Sequence, residues 1–343
     1  MPLTKEHWQD ALKLAISLVL FYWVALAANW KLPQYGALAI VLIGMGAADA
    51  SLKKGLLRVG GTAVGVVVGL AMLAVFAQDR WIGMVVFSSY IVFVSYFLLA
   101  SRYAYAWFVA GFVPIVVWGD TYMNAQNAFY FGTYRYLETA TGVVIYTIVA
   151  MVLWPRSTPD TASATAAKPC RITLDFQRLC RAVYPGICFA VGFIFWVVCD
   201  PPTGPKIPMM AGILSMMMLL TKAKPLPMLL LLLGSTIFAV APVYLFVMPH
   251  LSTGPELLTL VFLYALTFTL LGDRWPAIRT MPLVAFVMTA GISNQQSYAF
   301  TGIVNGAMMY LLAQGIVTLV YLLRLPETTT GLADSQAAAT SSA

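Results

Sequence analysis

The chain reads as long apolar runs separated by short polar breaks. Runs able to cross a bilayer, or nearly so, fall at about 11–29, 34–49, 57–77, 81–100, 104–119 and 132–154. A hydrocarbon core about 30 Å thick takes about 20 residues of helix, so these lengths suit spanning segments. A polar stretch follows, RSTPDTASATAAKPCR, and then six more runs at about 178–198, 207–220, 226–248, 256–272, 276–293 and 301–323. The pattern predicts an all-α polytopic membrane protein with about twelve transmembrane helices. Its expected units are a first six-helix membrane repeat at 1–156, a cytoplasmic linker at 157–177, a second six-helix repeat at 178–324 and a small, polar, disordered cytoplasmic tail at 325–343.

The halves resemble each other. LLASR (98–102) matches LLGDR (270–274), and GGTAVG (60–65) can be set against GSTIFA (234–239). Six spans is an even number, so both halves enter the membrane from the same side, as a parallel repeat about a pseudo-two-fold along the membrane normal. The second and eighth runs are short and contain glycine. The fifth and eleventh are also short and carry Pro114 and Pro282. Corresponding short or Pro/Gly-interrupted spans point to the central site of a transporter; tilted packing helices would produce the same pattern.

Composition narrows the class. Hydrophobic residues make up 61% of the chain and charged residues 10%, against about 25% charged in a soluble domain. That is too little charge to cover a soluble surface, and nothing resembles a basic, aromatic-bearing nucleic-acid module. The charges are placed asymmetrically. With the N-terminus inside, the cytoplasmic segments and adjoining helix ends hold sixteen of the 20 Lys and Arg, from Lys5 and Lys13 through Lys53, Lys54 and Arg58 to Arg324. The outer loops hold Lys31, Arg80 and Lys206, and Arg135 lies within a span. This distribution supports twelve spans with both termini cytoplasmic. ALAA at 25–28 resembles a leader-cleavage site, but Glu6, Asp10 and the length of the run argue for a retained span.

Candidate chemistry is sparse. Cys170, Cys180, Cys188 and Cys199 form no CxxC, and His7 and His250 are far apart, so free thiols and no metal site are expected. Walker, GxGxxG, HExxH and GxSxG patterns are missing, which points to a non-enzyme without cofactors, driven by an ion gradient or a separate protein if transport is active. In the sixth span, FGTYRYLETATG, Arg135 and Glu138 are three apart and share a helix face. Ionisable groups inside a span are functional candidates by default. Arg135 could recognise an anion while Glu138 carries a proton, or the two could form a structural ion pair. Asp49 and Asp120, at the ends of the second and fifth spans, are further proton-coupling candidates. Asp49 could equally be a helix-end carboxylate balanced by Lys53 and Lys54, and the polar, aromatic loop after Asp120 suits an interface belt or a docking surface. Asn294 and Gln295, in the loop ISNQQSY, are candidate substrate contacts or simply turn residues. Met209, Met210, Met216, Met217 and Met218 suit either an adaptable apolar pocket or packing. In RVGGTAVGVVVG (58–69), Gly61, Gly65 and Gly69 recur every fourth residue, a spacing that lets helix backbones approach closely in lipid.

The run LLRVGGTAVGVVVG resembles the Arg-x-x-Gly-Thr-x-x-Gly helix of the fusaric acid resistance, or aromatic acid exporter, family. RYLETATGVVIYTIVAMVLWPR resembles that family's closing helix, with Arg135, Glu138, Gly142 and Trp154-Pro155-Arg156. ALKLAISLVLFYWVALAANWKLPQYGALAIVLI is similar to its opening two helices. The resemblance covers about 11–156 well and about 178–324 weakly. It implies a bacterial inner-membrane efflux subunit that exports aromatic carboxylic acids, is driven by the proton gradient and pairs with a periplasmic adaptor of the membrane-fusion type. Longer members carry cytoplasmic domains that this compact version is expected to lack. The expectation is therefore an exporter of aromatic or amphipathic organic anions, possible as a homo-oligomer. The competing class is a non-transporting scaffold or channel-like subunit that anchors an adaptor.

Overall fold

The computed structural model describes residues 5–30, 33–44, 51–76, 78–101, 103–154, 175–272, 276–294 and 298–323. The linker up to residue 174 and the C-terminal tail, the latter expected to be disordered, lie outside the described residues, as do Asp49, Cys170 and Gln295.

Twelve helices follow one another, with no strand among the described residues: α1 (Lys5–Ala27), α2 (Gln34–Gly44), α3 (Ser51–Phe76), α4 (Arg80–Ala100), α5 (Ala104–Thr121), α6 (Ala128–Val152), α7 (Phe176–Cys199), α8 (Lys206–Thr221), α9 (Pro225–Gly234), α10 (Gly254–Leu271), α11 (Pro276–Thr289) and α12 (Phe300–Leu322). Helix α9 runs on through wider turns, in which Ala241 N–H bonds the Thr236 carbonyl and Met248 N–H the Val243 carbonyl, so the whole rod reaches His250. Among the described residues, nine helices are long and apolar enough to cross a membrane. The shorter apolar ones belong to α2, α8 and α11. Helix α5, expected to be short, has 18 residues and is one of the nine.

Local chemistry explains the ends and the irregularities. Asp79 caps α4 by accepting from the Trp81 and Ile82 amides, and Asp175 caps α7 through the Gln177 amide. Thr253 and Glu256 form a capping box at the start of α10. These contacts satisfy amides that lack a partner in the first helical turn. Pro114 leaves α5 intact because its cost is met elsewhere. A proline at this position deprives the carbonyl of Ala110 of its helical donor, and Tyr90 Oη donates to that carbonyl at 3.0 Å.

Glycines set the closest approaches. Gly61, Gly65 and Gly69 of α3 face α5: a Cβ built on Gly65 would stand 2.7 Å from the Val113 Cβ, and one on Gly69 3.0 Å from the Pro114 Cα. Helices α2 and α6 cross at Gly36 and Gly142, where a Cβ on Gly142 would run into the Gly36 carbonyl. On the opposite side of α5, Gly111 and Gly119 receive Met216 and Met209 of α8. Lys13 Nζ, buried, donates to the Trp154 carbonyl at 2.8 Å and so ties α1 to the end of α6.

The packing pairs have a pattern. Within the first half α1 packs on α2 and α6, α2 on α6, α3 on α5 and α6, and α4 on α5. Within the second half α7 packs on α8 and α12, α8 on α12, α9 on α11 and α12, and α10 on α11. Across the halves, α4 meets α7 as α10 meets α1, and α5 meets α8 as α11 meets α2. Large exposed apolar side chains such as Val67, Val152, Phe238 and Leu319 lie on the outside of the bundle, as a lipid-facing surface requires.

Candidate functional site

The short helices gather at the boundary between the halves. At about 1.5 Å per residue, the 11 residues of α2 fall well short of a bilayer core. Two cavities lie against these helices.

The larger cavity, about 390 Å³, opens at the end of the bundle where α5 leads to α6 and α7 to α8. Its wall includes Gln34, Tyr35, Asp120, Thr203, Lys206, Asn305 and Tyr310. Lys206 and Asn305 are exposed, and the Thr203 hydroxyl is buried with no hydrogen-bond partner among the described residues. The second cavity, about 80 Å³, lies deeper and is almost wholly apolar. Residues of one face of each helix line it: Leu38 and Leu42 of α2, Phe108, Phe112 and Val116 of α5, and Met210, Ile213, Leu214 and Met217 of α8. Tyr35, Met210, Met288 and Tyr310 belong to both walls and stand between the two spaces. The methionines thus differ in place: Met210 and Met217 face the deeper cavity, Met216 fills the notch at Gly111, and Met209 both fills the notch at Gly119 and lines the larger cavity.

Beside this path is a buried polar group built from three helices. Arg135 Nη1 donates to Glu138 Oε2 at 3.0 Å, and both side chains are nearly solvent-free. The guanidinium carbon lies 3.9 Å from the ring centre of Tyr35 and 4.3 Å from that of Phe131, so the cation sits between aromatic faces. The Tyr35 hydroxyl donates to Asp120 Oδ2 at 3.1 Å. A connected series therefore runs from Asp120, at the cavity wall, through Tyr35 to Arg135 and Glu138. Neither Arg135 nor Glu138 is part of either cavity wall.

Of the candidates read from sequence, Arg135, Glu138 and Asp120 come together, linked by a tyrosine that the sequence did not single out. Asn294 lies elsewhere. Its amide donates to the Leu26 carbonyl at 2.9 Å and to Asn29 Oδ1 at 3.0 Å, joining the α11–α12 connection to the end of α1. Lys206, Thr203 and Tyr310 were not read as site residues either, since a lone polar residue at a helix end, such as Lys206, or a lone tyrosine in mid-helix, such as Tyr310, carries no periodic signal. Arg58, read as an orienting charge, is 1% exposed. Its Nη1 donates to Tyr105 Oη at 2.6 Å, and its Nε has no partner among the described residues.

A model of the fusaric acid resistance protein family matches residues 7–183, more than half of the chain. The chain belongs to that family. Comparison with curated proteins and with solved structures gives no match. This fusaric acid resistance family member is a multi-pass membrane protein of a transport-related family. The family match covers α1 to α6 and the first turns of α7, and so includes Tyr35, Arg58, Asp120, Arg135 and Glu138; Lys206 and Tyr310 lie beyond it.

Proposed function

We propose that this protein is the membrane subunit of a bacterial inner-membrane exporter that passes aromatic or amphipathic organic acids outward, along the path between its two halves. The observation that carries this reading is the pair of cavities meeting at Tyr35, Met210, Met288 and Tyr310, with an apolar chamber on one side and a polar, cation-bearing space on the other. An amphipathic anion needs both environments in sequence: apolar walls and soft methionines for a ring, and a cation for its carboxylate. Packing pairs that repeat on a shift of six helices support two parallel repeats about a central axis. The concentration of Lys and Arg on one side supports cytoplasmic termini, which makes the Asp120 end the outer one.

Within this reading the cation met by the substrate is Lys206, whereas Arg135 has its charge answered by Glu138. Glu138 is the proton carrier, with Asp120 on the way to it from the outer cavity. A periplasmic adaptor of the membrane-fusion type completes the route beyond the membrane. The test is flux by the purified chain in liposomes. A pH gradient drives 4-hydroxybenzoate transport in the parent, and Met210→Trp, which fills the constriction, abolishes it. Absence of flux in the parent, with every acid tried, overturns the reading in favour of a scaffold that anchors an adaptor.

A further inference from the structure

Tyr35 occupies a position that the transport reading does not by itself explain. It stands in the first turn of α2, is 4% exposed, and takes part in three separate arrangements. Its side chain is one of four that stand between the two cavities. Its face covers the Arg135 guanidinium. Its hydroxyl is held by Asp120 at the outer wall. Leu38, one turn further along α2, already lies in the deeper chamber. One rotation of the Tyr35 side chain would therefore widen the constriction it shares with Met210, Met288 and Tyr310 and uncover the buried ion pair together.

We propose that Tyr35 is a latch: fastened by Asp120, it keeps the deep chamber closed to the outer cavity and the Arg135–Glu138 pair covered. This inference rests on the path assigned above. Two contacts resist opening. One is a hydrogen bond to a carboxylate, which is stronger than a neutral one. The other is the stacked cation. The charged groups near the ring are Asp120 and Lys206 at the cavity and Arg135 with Glu138 behind it. A carboxylate that reaches the constriction competes with Asp120 for the same O–H, and its arrival unfastens the latch. Opening the path and exposing Glu138 then become one event, as coupled transport requires.

Accessibility of the deep chamber reads the latch directly. Cys170, Cys180, Cys188 and Cys199 are replaced by alanine, Leu38→Cys is introduced, and an impermeant anionic methanethiosulfonate is applied from the Asp120 side. Labelling is slow in this background. It rises about tenfold in Tyr35→Phe and equally in Asp120→Ala, the opening expected when one hydrogen bond to a charged acceptor is lost. The double variant shows no further rise, because both substitutions remove the same bond. Asn305→Cys, exposed in the outer cavity, labels rapidly in every background and shows that each variant folds and admits the reagent. Rapid labelling of Leu38→Cys before any latch substitution overturns the proposal, and so does slow labelling that neither substitution changes. Failure of the transport reading shows instead as absent liposome flux with the labelling pattern intact.

Discussion

Replacing Glu138 with glutamine tests what the buried pair is for. In the parent, the guanidinium of Arg135 and the carboxylate of Glu138 lie 3.0 Å apart, with side chains 7% and 5% exposed. Removing one partner of a buried pair costs about 3–5 kcal/mol, because an uncompensated charge stays behind. Two features place Glu138→Gln near the low end. The amide oxygen can still accept from the guanidinium, and the rings of Tyr35 and Phe131 at 3.9 and 4.3 Å remain as partners, each worth about 0.5–2 kcal/mol. A loss of about 3 kcal/mol is expected, read as a lowered unfolding midpoint of the purified protein. Stability alone does not separate a proton carrier from a structural pair. The double variant Arg135→Met with Glu138→Leu does, since apolar replacement of a whole buried pair is often neutral or stabilising. It should recover most of the lost stability and none of the pH-driven export. Parent-level proton-driven flux in the double variant would refute the role assigned to Glu138 and leave the pair as packing.

Three further outcomes follow from the packing and the cavity. Gly65→Ala brings a Cβ to 2.7 Å from that of Val113, and the resulting overpacking should lower stability by about 1–3 kcal/mol in thermal unfolding; Gly60→Ala, whose Cβ would meet nothing within 4 Å, is the neutral control. Tyr90→Phe removes the donor to the Ala110 carbonyl and should cost about 1–3 kcal/mol in the same assay by leaving that acceptor unsatisfied. Lys206→Met should raise KM for carboxylate substrates about threefold to fivefold with little change in kcat, the scale of one exposed ionic contact, while an equal fall in kcat with KM unchanged would show that Lys206 acts at a later step.

The helices were legible because lipid imposes a single demand on every span. The run expected at 81–100 is Arg80–Ala100, that at 178–198 is Phe176–Cys199, and that at 301–323 is Phe300–Leu322. Departures have local causes. Helix α6 begins at Ala128 rather than near 132 because its first turns carry Phe129, Tyr130 and Tyr134, exposed aromatic residues suited to the membrane interface. Helix α5 outlasts its proline because Tyr90, on another helix, supplies the missing donor. Periodicity alone showed that Gly61, Gly65 and Gly69 form one face; that the face meets α5 depends on tertiary packing. The same holds for the site. Arg135 and Glu138 declared themselves as charges in an apolar span, but Tyr35 is an ordinary aromatic at the start of a short helix. Its importance arises only when α5 brings Asp120 to its hydroxyl and α6 brings Arg135 to its face.

That division bears on how one chain could both select an anion and avoid leaking it. A cation open to the path attracts carboxylates but also holds them; a cation buried with a carboxylate does neither until its cover moves. On the function proposed above the two tasks fall to different residues. Lys206 is exposed at the cavity rim, where water screens it and release is easy. Arg135 is sequestered with Glu138 in a low-dielectric setting, where any change in the protonation of Glu138 leaves a strong unbalanced charge. Tyr35 touches both environments, so under the proposed latch the strong field would be available only while the path is open. The second half carries no counterpart of the pair on α12, whose sequence FTGIVNGAMMYLLAQGIVTLVYL has no charged residue. If the halves arose as a repeat, they have diverged in charge: the first carries the buried Arg135–Glu138 pair, the second the rim lysine, and both supply apolar wall. Under the proposed latch, moving an Arg–Glu pair onto α12 should therefore cost stability without adding transport.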